Sequence, residues 1–187
     1  MTQCYQSKGQ NMLEHGLSVR DYTFDLVTWL KDPTHVFKYN WRFPGWFFPY
    51  ASDLSKNLCS DFTIDTYTRM HDCGKHKVKI LTEKGTLSYP NHAQASHETF
   101  LTFSDNLEIA ELIRRDMDIH TLKTDQVEEF CRDEPEISCT LLLAGLAEIH
   151  SNCQLFGGME SDSFKIKFKH LEKKGKYILD LLFGASG

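Results

Sequence analysis

Apolar residues along most of this chain recur at helical spacing, and that periodicity limits the folds open to it. Over residues 12–31, Met12, Leu17, Val19, Tyr22, Leu26, Val27 and Leu30 share one broad face when placed at about 100° per residue. Glu14, Ser18, Asp21, Asp25 and Thr28 occupy the other face, and Asp32-Pro33 stops the helix. Further helices are predicted over 63–75, with Thr63 or Asp65 as cap and Gly74 near the end. Others are predicted over 92–103, 106–122, a short stretch at 124–132, and from Pro135 to about Cys153. Residues 76–91 are basic and then turn-rich. In the tail, Phe164, Ile166 and Phe168 alternate with Lys165, Lys167 and Lys169, the pattern of a short strand, before a closing helix near Tyr177 to Phe183. The chain has 187 residues, one domain's length, enough to bury a core without staples. The expectation is a mainly α single domain over 1–187, a helical bundle with room for a short β element near the C-terminus.

Two segments interrupt the helical pattern. Residues 36–50 are rich in Trp, Phe and Tyr and carry Pro44, Gly45 and Pro49, which favours a loop. Two readings stand side by side: a hydrophobic lid packed on the core, or a platform on which a substrate ring stacks. Gly157-Gly158 is too little glycine for a phosphate loop.

Charge narrows the function classes. Twenty-one Lys and Arg against 26 Asp and Glu leave a net charge of −5. No broadly basic surface follows, so non-specific binding to nucleic acid or to an anionic membrane is not favoured, while a local cationic pocket stays open. The longest apolar run, about nine residues around Leu141 to Ala147, is too short to span a bilayer. Cys4, Cys59, Cys73, Cys131, Cys139 and Cys153 are scattered without a CxxC pair, and the N-terminus has no apolar signal core. The expectation is reduced thiols in a cytoplasmic protein.

The nine histidines, several of them near carboxylates, carry the chemistry. His15 sits inside the apolar arc of the first helix with Val19, Tyr22 and Leu26, as a satisfied core residue or as a ligand. His71-Asp72 is followed by Gly74-Lys75. On a helix His71 and Lys75 share a face, and His71 and Asp72 diverge by about 100° yet reach one ion between them. Over 106–122, Ile109, Ala110, Leu112, Ile113, Met117 and Ile119 form an arc with Asp116 in its middle. Asp118 lies on the opposite side with Glu108 and Glu111. A carboxylate on a buried face is costly unless paired or metal-bound, so Asp116 is the candidate ligand and Asp118 the solvated acid. His120 shares the face of Asp116, as a supporting partner or a satisfied buried histidine. His92 follows Pro90-Asn91 at a helix start; His97, five residues on, lies roughly 140° around and hardly converges with it on one ion. Glu148 and His150 read as a helix edge packed on the bundle, and Lys165, Lys167 and Lys169 as solvated or as attracting an anionic substrate. Nitrogen and oxygen donors with no thiolate set suit a divalent Mn, Fe, Co, Ni, Zn or Mg ion.

This ordered set resembles the HD superfamily of metal-dependent phosphohydrolases. The matching pieces are LEHGLSV around His15, TRMHDCGKHK around His71 and Asp72, YPNHAQASHE around His92, and LIRRDMDIH around Asp116. They span about residues 12–122, which leaves about 123–187 as an extension. The resemblance implies His15, His71, Asp72 and Asp116 as ligands of one or two metal ions per chain. It further implies Asp72, Lys75 and His92 as catalytic groups, with Lys75 and His92 also binding phosphate. The implied partner is a phosphorylated small molecule, a nucleotide or a relative. Two departures stand out: the long aromatic stretch between His15 and the His-Asp pair, and the second acid at Asp118. Some proteins of the superfamily are dinuclear iron oxygenases, which would need His92 with His97 or His120 as extra ligands. A non-catalytic, metal-binding regulatory domain is the third reading.

Overall fold

Helix α1 (Met12–Lys31) is fixed at its start by a reciprocal cap. The Asn11 side chain accepts from the Glu14 N–H at 2.9 Å, and the Glu14 carboxylate accepts from the Asn11 N–H at 2.8 Å. The computed structural model describes residues 5–7, 10–83, 85–131 and 134–184. Ahead of α1, β1 (Tyr5–Ser7) and β2 (Gln10–Asn11) form a small antiparallel hairpin. After it come α2 (Ala51–Lys56), α3 (Asp61–Met70) and a second hairpin of β3 (Ile80–Leu81) and β4 (Leu87–Ser88), pairing Ile80 with Ser88. Then follow α4 (His92–Phe100), α5 (Leu107–Arg114), α6 (Asp118–Thr121), α7 (Val127–Cys131), α8 (Pro135–Ser151) and α9 (Asp162–Phe183).

The chain is mainly α, as its periodicity predicts. Helix α8 is apolar on nearly every side and takes the centre, as an all-round hydrophobic helix must. It packs against α1 on one flank and α9 on another, while α3 lies across α1 and α5 closes behind α3 and α4. One continuous core runs from Leu26 and Leu30 of α1 through Leu141 to Leu146 of α8 to Ile178 and Leu179 of α9. No helix among the described residues is long and apolar enough to cross a membrane. Cys59, Cys73, Cys131, Cys139 and Cys153 are free thiols; Cys4 lies outside the described residues.

Three expectations need correction. The segment expected as a strand is the first half of α9. Ser161 caps it, accepting from the Phe164 N–H, and Phe164, Phe168, Leu171, Gly175, Ile178 and Leu179 are buried at helical spacing. Ile166, which a strand would bury beside Phe164 and Phe168, is 59% exposed. Six alternating residues suit either period, and the longer run decides. The helix expected over 63–75 spans 61–70, capped by Ser60, because the chain turns at His71. The helix expected over 106–122 is α5 and α6, divided at residues 115–117, where the Asp118 N–H bonds three residues back to Arg115.

Residues 36–50 form a lid on the core. Trp46 and Phe47 are buried, and the Phe43 ring packs at a tilt against both Phe37 and Phe47 with ring centroids 4.8 Å apart. Two buried polar residues pin the lid. Asp25 of α1 accepts from His35 Nε2, from the N–H groups of Lys38 and Tyr39, and from Trp41 Nε1 at 2.9 Å. Burial pushes its carboxyl up, and these donors together outweigh that and hold it low. His150 of α8 donates from Nδ1 to the Leu146 carbonyl, which leaves Nε2 to accept from the Arg42 N–H at 3.1 Å. Its ring lies 4.6 Å from that of Trp41.

Burial lowers the His150 pKa from 6.5 to about 4, against the smaller upward pull of those two backbone bonds. The unfolded chain therefore binds a proton that the folded one refuses between those values, so this contribution is present above pH 6.5 and lost as pH falls toward 4. From pH 7 to 4.5 the native protein should lose about 2–3 kcal/mol more than His150→Gln, at roughly 1.4 kcal/mol per pKa unit. Urea midpoints of the two proteins at both pH values measure this; parallel losses would exclude His150.

Candidate metal centre

The centre begins at a helix crossing that only glycine permits. A Cβ on Gly16 would stand 2.4 Å from the Arg69 carbonyl oxygen, so α1 and α3 meet backbone to backbone. Beside that contact, the rings of His15 and His71 lie 5.2 Å apart at 65°. A second close approach holds the other side. At Gly74 a Cβ would meet the Ala95 backbone at 2.2 Å, and the Gly74 N–H donates to Ser96 Oγ at 3.0 Å. The turn carrying His71 and Asp72 is thus clamped between α1 and α4.

One donor atom each from His15, His71 and Asp72 lies within 4.8 Å of the others, and all three residues are buried. His71 donates from Nδ1 to the Thr68 carbonyl at 2.8 Å, which fixes its tautomer and turns Nε2 toward Asp72 Oδ2 at 3.4 Å. His15 Nε2 is 3.5 Å from the same oxygen. Lys75 lies past the end of α3, in the 3-10 turn Lys75–Lys77, so it shares no helix face with His71. Its ammonium nonetheless reaches Asp72 Oδ2 at 2.5 Å. His92, the first residue of α4, donates from Nδ1 to the Tyr89 carbonyl and points Nε2 at Asp72 Oδ1, 3.8 Å away.

Asp116 is buried and Asp118 half-exposed, but a turn separates them rather than helix phase. Asp116 accepts from the Tyr67 hydroxyl at 2.7 Å and stands outside the 4.8 Å group, acting on His71 through its charge. Asp118 pairs with Arg115 at 3.5 Å. His97 is also outside the group. Two residues of α8 were read together as a helix edge. His150 belongs to the lid, whereas Glu148 reaches the centre, 3.8 Å from His15 Nε2 and 3.3 Å from His120 Nε2. Glu148, like Asp116, is a carboxylate inside an apolar run, and that pattern marks it from sequence.

Four atoms of this group have no partner, while Lys75 already holds one oxygen of Asp72. His15 Nδ1 and Nε2, His71 Nε2 and Asp72 Oδ1 are buried with no hydrogen-bond partner, an arrangement that native proteins seldom leave uncompensated. Burial would raise the Asp72 carboxyl, but His71 and Lys75 outweigh it and keep the group ionised. Burial would lower the His71 imidazole, and Asp72 first, then Asp116, raise it instead. Asp116 is shifted up, chiefly by burial. Glu148 is held low despite burial, by His120 and His15. Two imidazole nitrogens and a carboxylate fit a divalent ion of the borderline type, and a proton on His71 competes with it. A cavity of about 370 Å³ lies against this side, with Glu148 and His120 in its wall.

No protein-family model, curated protein or solved structure matches this chain.

The Gly16 contact generates a direct test. Gly16→Ala should force α1 off α3, costing about 1–3 kcal/mol of stability as overpacking does, and should separate His15 from His71. Thermal unfolding and a Mn or Co titration check the two effects. An unchanged affinity would mean that the crossing does not set the donor spacing.

Proposed function

We propose that this protein is a metal-dependent phosphohydrolase of the HD type, acting on a phosphomonoester or phosphoanhydride, with a nucleotide or related small molecule as substrate. The observation that carries the reading is the buried group of His15, His71 and Asp72, in which both His15 nitrogens, His71 Nε2 and Asp72 Oδ1 lack partners while Asp72 Oδ2 is held by the Lys75 ammonium. The nucleotide assignment rests on the sequence resemblance alone.

His15, His71 and Asp72 would hold the cation, with Asp116 close enough to act on His71. A bound divalent ion supplies Lewis acidity toward a phosphoryl oxygen and lowers the pKa of water. The remaining roles belong to the chain. Thr68 and Tyr89, through their carbonyls, orient His71 and His92 so that both present Nε2 toward Asp72. Lys75 keeps the Asp72 carboxylate ionised and offers positive charge where a phosphate oxygen becomes more negative. His92, partly exposed, is placed to bind the phosphate or pass it a proton. Glu148 and His120 face each other across 3.3 Å at the cavity wall, with Glu148 also beside His15.

A second reading draws on one observation: His92 faces the Asp72 oxygen that His15 and His71 do not. His92 and Asp72 would then help to hold a second ion, and such a site would supply the redox chemistry of an iron oxygenase. Metal analysis together with phosphate release across a set of nucleotides and simple phosphomonoesters separates the readings. The hydrolase predicts a bound divalent ion and phosphate release, both lost in Asp72→Asn. Two irons per chain without phosphate release would favour the oxygenase, a bound ion with neither activity the regulatory domain, and no bound ion under any supplementation would sink all three.

The two acids near α6 give an independent check. Asp116→Asn should lose most metal affinity and turnover, because Asp116 is buried beside Tyr67 and acts on His71. Asp118→Asn, half-exposed, should change stability by no more than about 0.5 kcal/mol and leave turnover intact. A dead Asp118→Asn beside an active Asp116→Asn would reverse the assignment.

A further inference from the structure

We propose that the cavity between α9 and the α6–α7 segment is a binding site for a small polyanion, a molecule carrying two or more phosphate-like groups, with Lys169, Lys173 and Lys174 as its cationic wall. The cavity has a volume of about 780 Å³, within the range of small-molecule sites, and it opens to solvent, with Lys169, His170 and Lys173 exposed. Besides the three lysines its lining includes His120 and His170, and among the described residues no carboxylate. In a chain of net charge −5 this is a concentration of one sign in a concave place, where field lines focus.

The lysines are uncommitted within the fold. Among the described residues none of Lys169, Lys173 and Lys174 makes an ion pair, whereas Lys165 pairs with Glu160 at 3.0 Å and Lys176 with Asp180 at 2.7 Å on the same helix. Glu172 of α9 is engaged elsewhere, accepting from the Gly45 N–H at 3.1 Å. Asp118 is the one carboxylate acting on Lys174, and Arg115 already holds it. Lys169 and Lys173 are one helical turn apart; like charges at that spacing repel, a cost that a bound anion removes. Leu122, Val127, Ile166 and Tyr177 complete the wall, and such apolar surface weakens solvent screening of the lysine charges. Burial depresses the Lys174 ammonium, which an anion would restore.

The site also borders the centre described above. His120, Ile166 and His170 line both this cavity and the one reaching Glu148. If the phosphohydrolase reading holds, the site receives the non-reacting anionic groups of the substrate. That clause rests on that reading; the polyanion site does not.

The test uses the full chain stripped of metal with a chelator, so that binding is read without catalysis. Calorimetric titration with inorganic tripolyphosphate at about 150 mM salt, near the physiological screening regime, should show saturable binding at least tenfold tighter than that of orthophosphate. The double change Lys173→Gln and Lys174→Gln should weaken it at least tenfold, whereas Lys165→Gln with Lys176→Gln, the same loss of charge from the same helix, should leave it nearly unchanged. Equal weakening by both pairs would reduce the effect to general electrostatics, and absent binding would remove the site; either overturns the proposal. Loss of phosphate release with tripolyphosphate binding intact would fail the hydrolase reading alone.

Discussion

A carboxylate ionised in a place almost without water is the constraint on which the arrangement turns. Asp72 is 1% exposed, and an unpaired charge there would cost several kcal/mol. The fold surrounds it with Lys75 from its own turn, His71 beside it, His15 from α1 and His92 from α4. These partners come from three parts of the chain, so satisfying Asp72 obliges α1, the turn after α3 and the start of α4 to converge. The two close glycine contacts are how they do so: a side chain at position 16 or 74 would hold the backbones apart and leave the charge exposed or unpaired.

The aromatic stretch shows a related logic away from the centre. Between His15 and His71 the chain inserts a segment with little regular structure, and the backbone groups of such a segment still need partners. Asp25 takes two backbone N–H groups and the Trp41 indole N–H from it, with His35 donating from just ahead of it, and His150 takes one more backbone N–H. Each anchor is a buried polar group on a helix, and Asp25, expected on the polar face of α1, is covered because the lid folds over that face. The rings then fill the space between α1, α8 and α9, so the insertion is absorbed into the core beside the helices that carry His15 and Glu148.

Much of the centre was legible in local pattern. His15 lies on the apolar arc of α1 and is buried; Asp116 lies among apolar residues and is buried, with Asp118 outside. Burial follows from periodicity because neighbouring turns of a helix must face the same surroundings. The same reasoning failed where a helix ended early. His71 and Lys75 do not share a helical face, because α3 stops at Met70, and the separation of Asp116 from Asp118 comes from a turn rather than from continuous phase. Helix ends depend on which carbonyls and side chains from elsewhere arrive to satisfy them, and local spacing carries little of that.

By itself, then, the sequence determined the helical class, the first helix to the residue, the central apolar segment that becomes α8, and the inward position of His15 and Asp116. All of these depend on residues within a few turns of one another. Only the tertiary structure decided that Glu148 would meet His15 and His120, that Lys75 would aim at Asp72, and that the alternating lysines of the tail would belong to a helix lining a cavity. Glu148 and His15 are separated by most of the chain. Their meeting is set by how α1 and α8 pack, a balance of buried area and close backbone contact in which no single residue announces its partner.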